Sequence, residues 1–117
     1  MAFDMANIAL RHPRDDVRQL IEHVLGRLGH VIVPEHEEER AHLLLLEPAS
    51  EMDLEAAKGL RDAHPHLPIV CVSILPPFDE VLDLEPAAYL VKPFTVAGLR
   101  STVESVLTAE LPAVPAC

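Results

Sequence analysis

The stretch YLVKPFT, residues 89–95, places a lysine at the end of a run of β-forming residues and follows it directly with Pro93 and Phe94. A charged side chain at the end of a buried strand is costly unless an opposite charge compensates it. An amphipathic segment then begins at Thr95. The stretch therefore predicts a strand, a helix after it, and an acidic partner for Lys92 elsewhere in the chain.

Apolar segments of strand length recur along the whole chain. Together with AAYLV (87–91), they are NIAL (7–10), HVIVP (30–34), HLLLLE (42–47) and IVCVSIL (69–75). Two of them, the segments beginning at residues 42 and 69, contain unbroken apolar runs. Such runs are typical of strands that are buried on both faces of a sheet.

Residues with helical spacing lie between these strands. The most regular set comprises Val17, Leu20, Ile21, Val24, Leu25 and Leu28. This set predicts a helix that ends near Gly29. Ser50 and Asp53 fit a capping box that begins a second helix, and Thr95 fits the N-cap of the last helix.

Two segments are predicted to depart from this pattern. FDEVLDLEP (78–86) has room for two helical turns at most, and EHEEER (35–40) is predicted to be a solvated loop. The alternation of strands and helices predicts right-handed crossovers onto a parallel sheet covered on both faces. The expected fold class is therefore α/β with three layers and a five-stranded parallel sheet. One domain is expected over residues 1–111, followed by a disordered tail at 112–117.

Composition excludes several classes of function. The formal net charge is −10 and the chain has 9 Lys and Arg residues, so the clustered basic surface that nucleic acids require is not expected. Cys71 lies in an apolar run and Cys117 ends the chain, which does not suggest a disulfide framework. No apolar run reaches about 18 residues, and the N-terminal segment is unlike a secretion signal. We expect a cytoplasmic protein with no membrane insertion.

Polar residues lie at the carboxyl ends of the predicted strands. They are Arg11 and His12 after the first strand, Glu47 after the third, Ser73 at the fourth and Lys92 after the fifth. The carboxyl ends of parallel strands meet at one edge of the sheet, where the functional groups of such folds lie. These residues therefore define the predicted site.

In the polar residues at its predicted strand ends, the chain resembles the receiver domain of two-component response regulators. The resemblance extends from NIALRHPRDDVRQLIEHVLGRLGH through LLLLEP and LPIVCVS to YLVKPF, its most specific element. It implies a flavodoxin-like fold in which the family's fourth helix is short or irregular in this chain. It also implies that Lys92 binds a phosphoryl group, that Ser73 ligates that group in the active state, and that Tyr89 moves on activation.

The chain departs from the family at two positions. Receivers carry an Asp phosphoacceptor at the end of the third strand, where this chain has Glu47. They hold Mg²⁺ with an acidic pair directly after the first strand, where this chain reads RHPR (11–14). Cationic neighbours oppose a divalent cation, and without Mg²⁺ phosphoryl transfer loses electrostatic stabilisation and positioning. The chain is therefore interpreted as a pseudo-receiver with no catalytic residue, no metal site and no cofactor.

In this interpretation Glu47 occupies the phosphoacceptor position and pairs with Lys92. Arg11 or Arg14 is predicted to supply the positive charge of the missing metal. The expected function is phosphorylation-independent protein–protein interaction in signal transduction, not enzyme activity. The expected partners are unidentified signalling proteins, and a homodimer is possible.

Two alternatives remain open. A working receiver would accept a phosphoryl group in a phosphorelay, and Asp15 and Asp16 could then supply the acidic pair in a shifted register. Acidic residues in a first helical turn more commonly serve the cap and the dipole. An unrelated small α/β enzyme or metal protein is the other alternative, because the chain has 7 histidines. Their spacings match no common zinc pattern.

Overall fold

The computed structural model of the chain describes residues 6–74 and 76–110. Its elements are β1 (Asn7–Arg11), α1 (Asp15–Arg27), β2 (Val31–Ile32), a 3₁₀ helix (Glu35–Arg40), β3 (Leu43–Leu46), α2 (Glu51–Ala63), β4 (Ile69–Ser73), α3 (Asp79–Leu82), β5 (Ala88–Val91) and α4 (Val96–Glu110). The predicted domain end at residue 111, the predicted tail at 112–117 and Leu75 lie outside the described residues. None of the described helices is both long enough and apolar enough to cross a bilayer.

The strands form one parallel sheet in the order β2-β1-β3-β4-β5. Helices α1 and α4 cover one face, where Leu25 and Val103 belong to the same buried cluster. Helices α2 and α3 cover the other face, where Leu54 and Val81 belong to a second cluster. The predicted α/β fold with three layers is therefore confirmed.

The central strands β3 and β4 are buried along their whole length. In β3, Leu43 and Leu45 pack into the cluster under α1 and α4, whereas Leu44 and Leu46 pack into the cluster under α2 and α3. Each face of the strand therefore needs apolar side chains. This requirement explains why the sequence is continuously apolar here instead of alternating.

Helix α1 ends in a Schellman motif. Gly29 has a φ of 96°, a conformation that favours glycine, and its N–H donates to the Gly26 carbonyl at 3.0 Å. The next N–H, that of His30, donates to the Leu25 carbonyl at 3.1 Å. The predicted helix end near Gly29 is confirmed, and the turn delivers the chain directly into β2.

The segment 35–40 differs from its prediction. It forms a 3₁₀ helix instead of a solvated loop, and Glu38 within it is only 8% exposed. The glutamate is buried because Arg11 at the end of β1 binds its carboxylate. Helix α3 is a single turn, Asp79–Leu82, as the short segment predicted.

The predicted caps are partly confirmed. Thr95 Oγ1 accepts the Gly98 amide at 2.8 Å at the start of α4. Ser50 Oγ accepts the Asp53 amide at 3.4 Å at the start of α2. The reciprocal half of the predicted capping box is wrong, because the Asp53 carboxylate pairs with Arg11. Asp53 thereby joins the edge of the sheet where the site lies.

Candidate functional site

Lys92 follows β5 directly and meets the partner that the sequence predicted. Its N–H continues the ladder to β4 by donating to the Ser73 carbonyl at 2.7 Å, and the peptide bond to Pro93 is cis. Its Nζ donates to Glu47 Oε1 at 2.9 Å. The Lys92 side chain is 18% exposed and that of Glu47 is 5% exposed. The two residues therefore form a mostly buried ion pair.

Glu47 continues β3 in the same way that Lys92 continues β5. Its N–H donates to the Arg11 carbonyl at 2.9 Å, and its Oε2 accepts the Ala49 amide at 3.2 Å. Because β4 lies between β3 and β5, and neighbouring strands are about 4.8 Å apart, the two side chains cross a gap of about 10 Å. Two long side chains, a lysine and a glutamate, can meet across such a gap. Both oxygens of the carboxylate thus accept a hydrogen bond.

His12 is the third member of the site, and its side chain is only 2% exposed. Its Nε2 lies 2.7 Å from Lys92 Nζ and 3.9 Å from Glu47 Oε1, and its Nδ1 lies 3.1 Å from the Arg14 amide nitrogen. A neutral imidazole has one ring lone pair that accepts a hydrogen bond. It therefore accepts from Lys92 or from the Arg14 amide, but not from both. We name His12, Glu47 and Lys92 the edge triad.

Burial lowers the pKa of His12 below its ordinary value of 6.5, and the positive charge of Lys92 lowers the pKa further. The negative charges of Glu47 and Asp53 oppose this shift only in part. A protonated ring would also turn both of its nitrogens into donors that face donors. His12 is therefore held in the neutral form, and the edge triad carries one positive and one negative charge.

Arg11 makes a second charged cluster beside the edge triad. Its Nε and Nη2 donate to the two oxygens of Glu38 at 2.7 and 3.0 Å, and its Nη1 donates to Asp53 Oδ1 at 3.2 Å. The three side chains are 12%, 10% and 13% exposed. Two planar contacts to one carboxylate make this a strong and specific arrangement. The guanidinium links β1 to the 3₁₀ helix and to α2.

The prediction that Arg14 lines the site with its side chain is wrong. Its guanidinium donates to Asp16 at 2.8 Å, and the two side chains are 70% and 67% exposed. Arg14 is the residue that precedes α1, so its side chain follows the surface of the first turn. The hydrogen bond from Arg14 lowers the pKa of Asp16, and the Val17 amide lowers it further. Only the backbone of Arg14 contacts the edge triad.

Ser73 and Tyr89 lie beside the edge triad on β4 and β5. Ser73 is fully buried, and Tyr89 packs partly buried against the cluster under α2 and α3. Burial raises the pKa of the Tyr89 phenol, and a hydrogen bond with the Ser73 side chain partly offsets that increase. The residue predicted to ligate a phosphoryl group and the aromatic residue predicted to move are thus in contact with each other.

Other groups with possible chemistry have structural roles. Burial raises the pKa of the Cys71 thiol to about 12, so this cysteine is a poor nucleophile. His30 Nδ1 accepts the Ala6 amide at 3.1 Å, and His42 Nδ1 accepts the Asn7 amide at 2.9 Å, both at the opposite edge of the sheet. Within residues 6–74 and 76–110, no three His, Cys, Asp or Glu side chains are arranged to hold a metal ion.

Sequence reasoning missed Glu38 and Asp53 as members of the site. Glu38 lies in a segment without periodicity, and Asp53 was assigned to a cap. The available signal was Arg11 itself, because a guanidinium at the end of a buried strand requires compensating carboxylates. An acidic segment directly before β3 and an aspartate in the first turn after it were the candidates within reach.

No family model and no curated protein matches this sequence. Solved structures do match its fold. The chemotaxis protein CheY4 of Vibrio cholerae superposes with a TM-score of 0.76 at 20% identity, over 88% of this chain and 99% of that chain. A two-component response regulator of Clostridium difficile gives a TM-score of 0.73 at 20% identity, over 88% and 96% of the two chains.

A third similar structure belongs to a longer protein. NtrX of Brucella abortus, in complex with ADP, gives a TM-score of 0.75 at 19% identity over 91% of this chain, which spans 27% of the NtrX chain. At these identities the similarity shows the fold. The chain therefore has the flavodoxin-like fold of response regulator receiver domains.

Proposed function

We propose that this receiver-fold domain acts in two-component signalling by binding other proteins, without accepting a phosphoryl group. The observation that carries the proposal is the state of Glu47, which occupies the phosphoacceptor position. One of its oxygens accepts a hydrogen bond from Lys92 and the other from the Ala49 amide. The carboxylate is 5% exposed, so it is already satisfied and shielded from a phosphoryl donor.

The surroundings of Glu47 also oppose the metal-assisted reaction. His12 and Lys92 occupy the space next to its Oε1, at 3.9 and 2.9 Å. The next carboxylates, Glu38 and Asp53, are bound by Arg11. A divalent cation needs several oxygen ligands, so it would have to displace two cations from their partners. Phosphoryl transfer would then lack the charge compensation on which it depends.

A buried pair of charges favours one conformation. Separating Lys92 from Glu47 would leave an uncompensated charge in a mostly buried place, which is strongly unfavourable. The proposed module therefore presents one constant surface to its partners instead of alternating between two. In this proposal it is cytoplasmic and not an enzyme, and its partners are other signalling proteins.

Incubation with acetyl phosphate and Mg²⁺ tests the proposal, with intact-mass measurement and a competent receiver domain treated in parallel. We expect the competent domain to gain a phosphoryl group and this chain to remain unmodified. A labile phosphoryl group on the wild-type chain that is lost in Glu47→Gln would overturn the proposal and favour the working receiver.

Partner capture supplies the positive half of the test. The chain is immobilised and exposed to a cytoplasmic extract, with and without acetyl phosphate and Mg²⁺. We expect the same partners in both cases, and weaker capture by Lys92→Ala or Glu47→Ala variants whose folding is checked by circular dichroism. Partners that bind only after phosphoryl-donor treatment would contradict the proposal.

A further inference from the structure

The histidine of the edge triad faces a hydrogen-bond donor on each side of its ring. Its Nε2 lies 2.7 Å from Lys92 Nζ, and its Nδ1 lies 3.1 Å from the Arg14 amide nitrogen. A neutral ring can accept from only one of these two donors, and a protonated ring can accept from neither. The contacts of His12 therefore depend on its protonation state.

An acceptor for a protonated ring lies within reach. Glu47 Oε1 is 3.9 Å from His12 Nε2 and 2.9 Å from Lys92 Nζ. One carboxylate oxygen thus lies beside two basic groups, and the lysine holds it while the imidazole is neutral. If His12 takes up a proton, two positive charges face each other at 2.7 Å. Like charges at this distance in a mostly buried place repel strongly, so one of the two cations has to move.

The exposure of the side chains indicates which cation moves. His12 is 2% exposed, Glu47 is 5% exposed and Lys92 is 18% exposed. Glu47 is also anchored through its Oε2, which accepts the Ala49 amide at 3.2 Å. A lysine has a flexible four-carbon stem that carries its ammonium group to water. Lys92 is therefore the member of the edge triad that leaves most easily.

We propose that acid exchanges the partner of Glu47 from Lys92 to His12 and releases the Lys92 ammonium group to the surface. One proton enters from water onto the imidazole ring, and the buried part of the site still contains one positive and one negative charge. The solvent side of this sheet edge gains a positive charge. The exchange goes beyond the proposed function, because a surface that is constant towards phosphoryl donors becomes responsive to pH through a buried histidine.

The groups that face His12 decide the pH at which the exchange occurs. They are Lys92 after β5, Glu47 after β3, Asp53 in α2 and Arg14 before α1. Burial lowers the pKa of His12 below 6.5 most strongly, Lys92 and Arg14 also lower it, and the two carboxylates oppose the shift. The ion pair of lysine and glutamate therefore persists at neutral pH. The exchange begins below about pH 6.5 and advances as pH falls further.

The chain offers an internal reference for measuring this release, because Lys58 is its only other lysine. Lys58 lies on α2, and its side chain is 37% exposed and pairs with Glu55 and Glu80. Brief reductive methylation of the full chain with formaldehyde and a borane at about pH 7.5 and about pH 5.5 labels both amines above the range in which most carboxylates titrate. Peptide mass spectrometry then gives the labelling ratio of Lys92 to Lys58. Ordinary lysines are almost fully protonated at both pH values, so the general effect of pH cancels in the ratio.

We expect the ratio to rise by about threefold or more at the lower pH, because two pH units change the ratio of protonated to neutral imidazole by about a hundredfold. In His12→Gln we expect a constant ratio, since glutamine retains an acceptor towards Lys92 and takes up no proton. His30→Asn is the matched control. It removes the other histidine whose pKa burial lowers, and it retains an acceptor towards the Ala6 amide. We expect the full rise in this variant.

A constant ratio in the wild-type chain would overturn the proposal, and so would a rise in His12→Gln equal to that of the wild type. Circular dichroism at both pH values accompanies each measurement, because unfolding would also expose Lys92. Loss of helix in the wild-type chain over this range would equally overturn the proposal, which requires the exchange to occur within the folded domain.

Discussion

The two edges of the sheet use histidine in different ways. At the carboxyl edge, His12 lies in the edge triad with a partly buried lysine and a buried glutamate. At the amino edge, His30 and His42 directly precede β2 and β3, the two neighbours of β1, and they accept the amides of Ala6 and Asn7 at the start of β1. The first edge is held by compensated charges and the second by neutral hydrogen bonds. This difference predicts how strongly each edge responds to mutation and to pH.

At the amino edge, the neutral hydrogen bonds leave one histidine donor without a partner among the described residues. His30 accepts the Ala6 amide at Nδ1, which places its ring proton on Nε2, and that nitrogen has no hydrogen-bond partner among residues 6–74 and 76–110 although the residue is only 6% exposed. An unpaired neutral donor costs about 1–3 kcal/mol. An unpaired buried charge costs more. The carboxyl edge therefore requires complete pairing, whereas the amino edge tolerates an unpaired donor.

Removing the cation of the edge triad should have the largest effect on the stability of the fold. We expect Lys92→Met to lower the free energy of unfolding by about 3–5 kcal/mol, because it leaves Glu47 charged and 5% exposed. Glu47→Gln should cost less, since Lys92 can extend towards water. The double variant should recover most of the loss. Urea unfolding measures all three, and a loss below about 1 kcal/mol for Lys92→Met would show that the pair is not energetically coupled.

Replacing Arg11 tests the second charged cluster at the same edge. We expect Arg11→Met to cost about 2–4 kcal/mol, because Glu38 and Asp53 lose their shared partner while they are about nine-tenths buried. Arg11→Lys is the matched variant, since it keeps the charge and loses the planar fork. The free energy of unfolding of Arg11→Lys should lie between those of the wild type and of Arg11→Met. A lysine variant as stable as the wild type would mean that charge alone matters here.

Acid should destabilise both edges through their histidines. Burial lowers the pKa of His12 and of His30 from 6.5 in the folded protein, although Glu104 partly opposes the shift at His30. The unfolded chain therefore takes up protons first as pH falls. The stability that these groups contribute is present above about pH 6.5 and is lost as pH falls towards their folded pKa values, by at most about 1.4 kcal/mol per pH unit for each group.

Urea unfolding between about pH 7 and pH 5, above the range in which most carboxylates titrate, measures this loss. We expect His12→Gln and His30→Asn each to reduce the pH slope. Glutamine retains an acceptor towards Lys92, and asparagine retains one towards the Ala6 amide. The charged groups around His12 are Lys92, Glu47, Asp53 and Arg14. Slopes that match the wild type in both variants would refute the assignment.

The sequence predicted the fold well because strand and helix patterns alternate and each pattern is strong. The apolar runs of β3 and β4 and the spacing of α1 need no tertiary information. The same topology brings the carboxyl ends together, so the contact between Lys92 and Glu47 was also predictable. The position of a residue one step past a parallel strand follows from the sheet alone.

The remaining members of the site depend on tertiary choices that local patterns do not encode. The Asp53 carboxylate could accept a hydrogen bond at the start of its own helix or bind Arg11. It binds Arg11, because the buried guanidinium requires carboxylates. Glu38 becomes buried only because the 3₁₀ helix packs over the same edge. Arg14 had two possible directions for its side chain, and the nearby Asp16 holds it at the surface.

Arg14→Ala should have the smallest effect on stability, and it allows two arginines at the same edge to be compared. Its guanidinium and that of Arg11 are separated by three positions in sequence, but the Arg14 side chain is 70% exposed and pairs with the exposed carboxylate of Asp16. Exposed ion pairs contribute little. The contact that Arg14 makes with His12 uses the backbone amide, which alanine retains. We therefore expect the urea midpoint of Arg14→Ala to match the wild type while that of Arg11→Ala falls clearly. A comparable fall for both variants would place the Arg14 side chain in the site after all, as the sequence predicted.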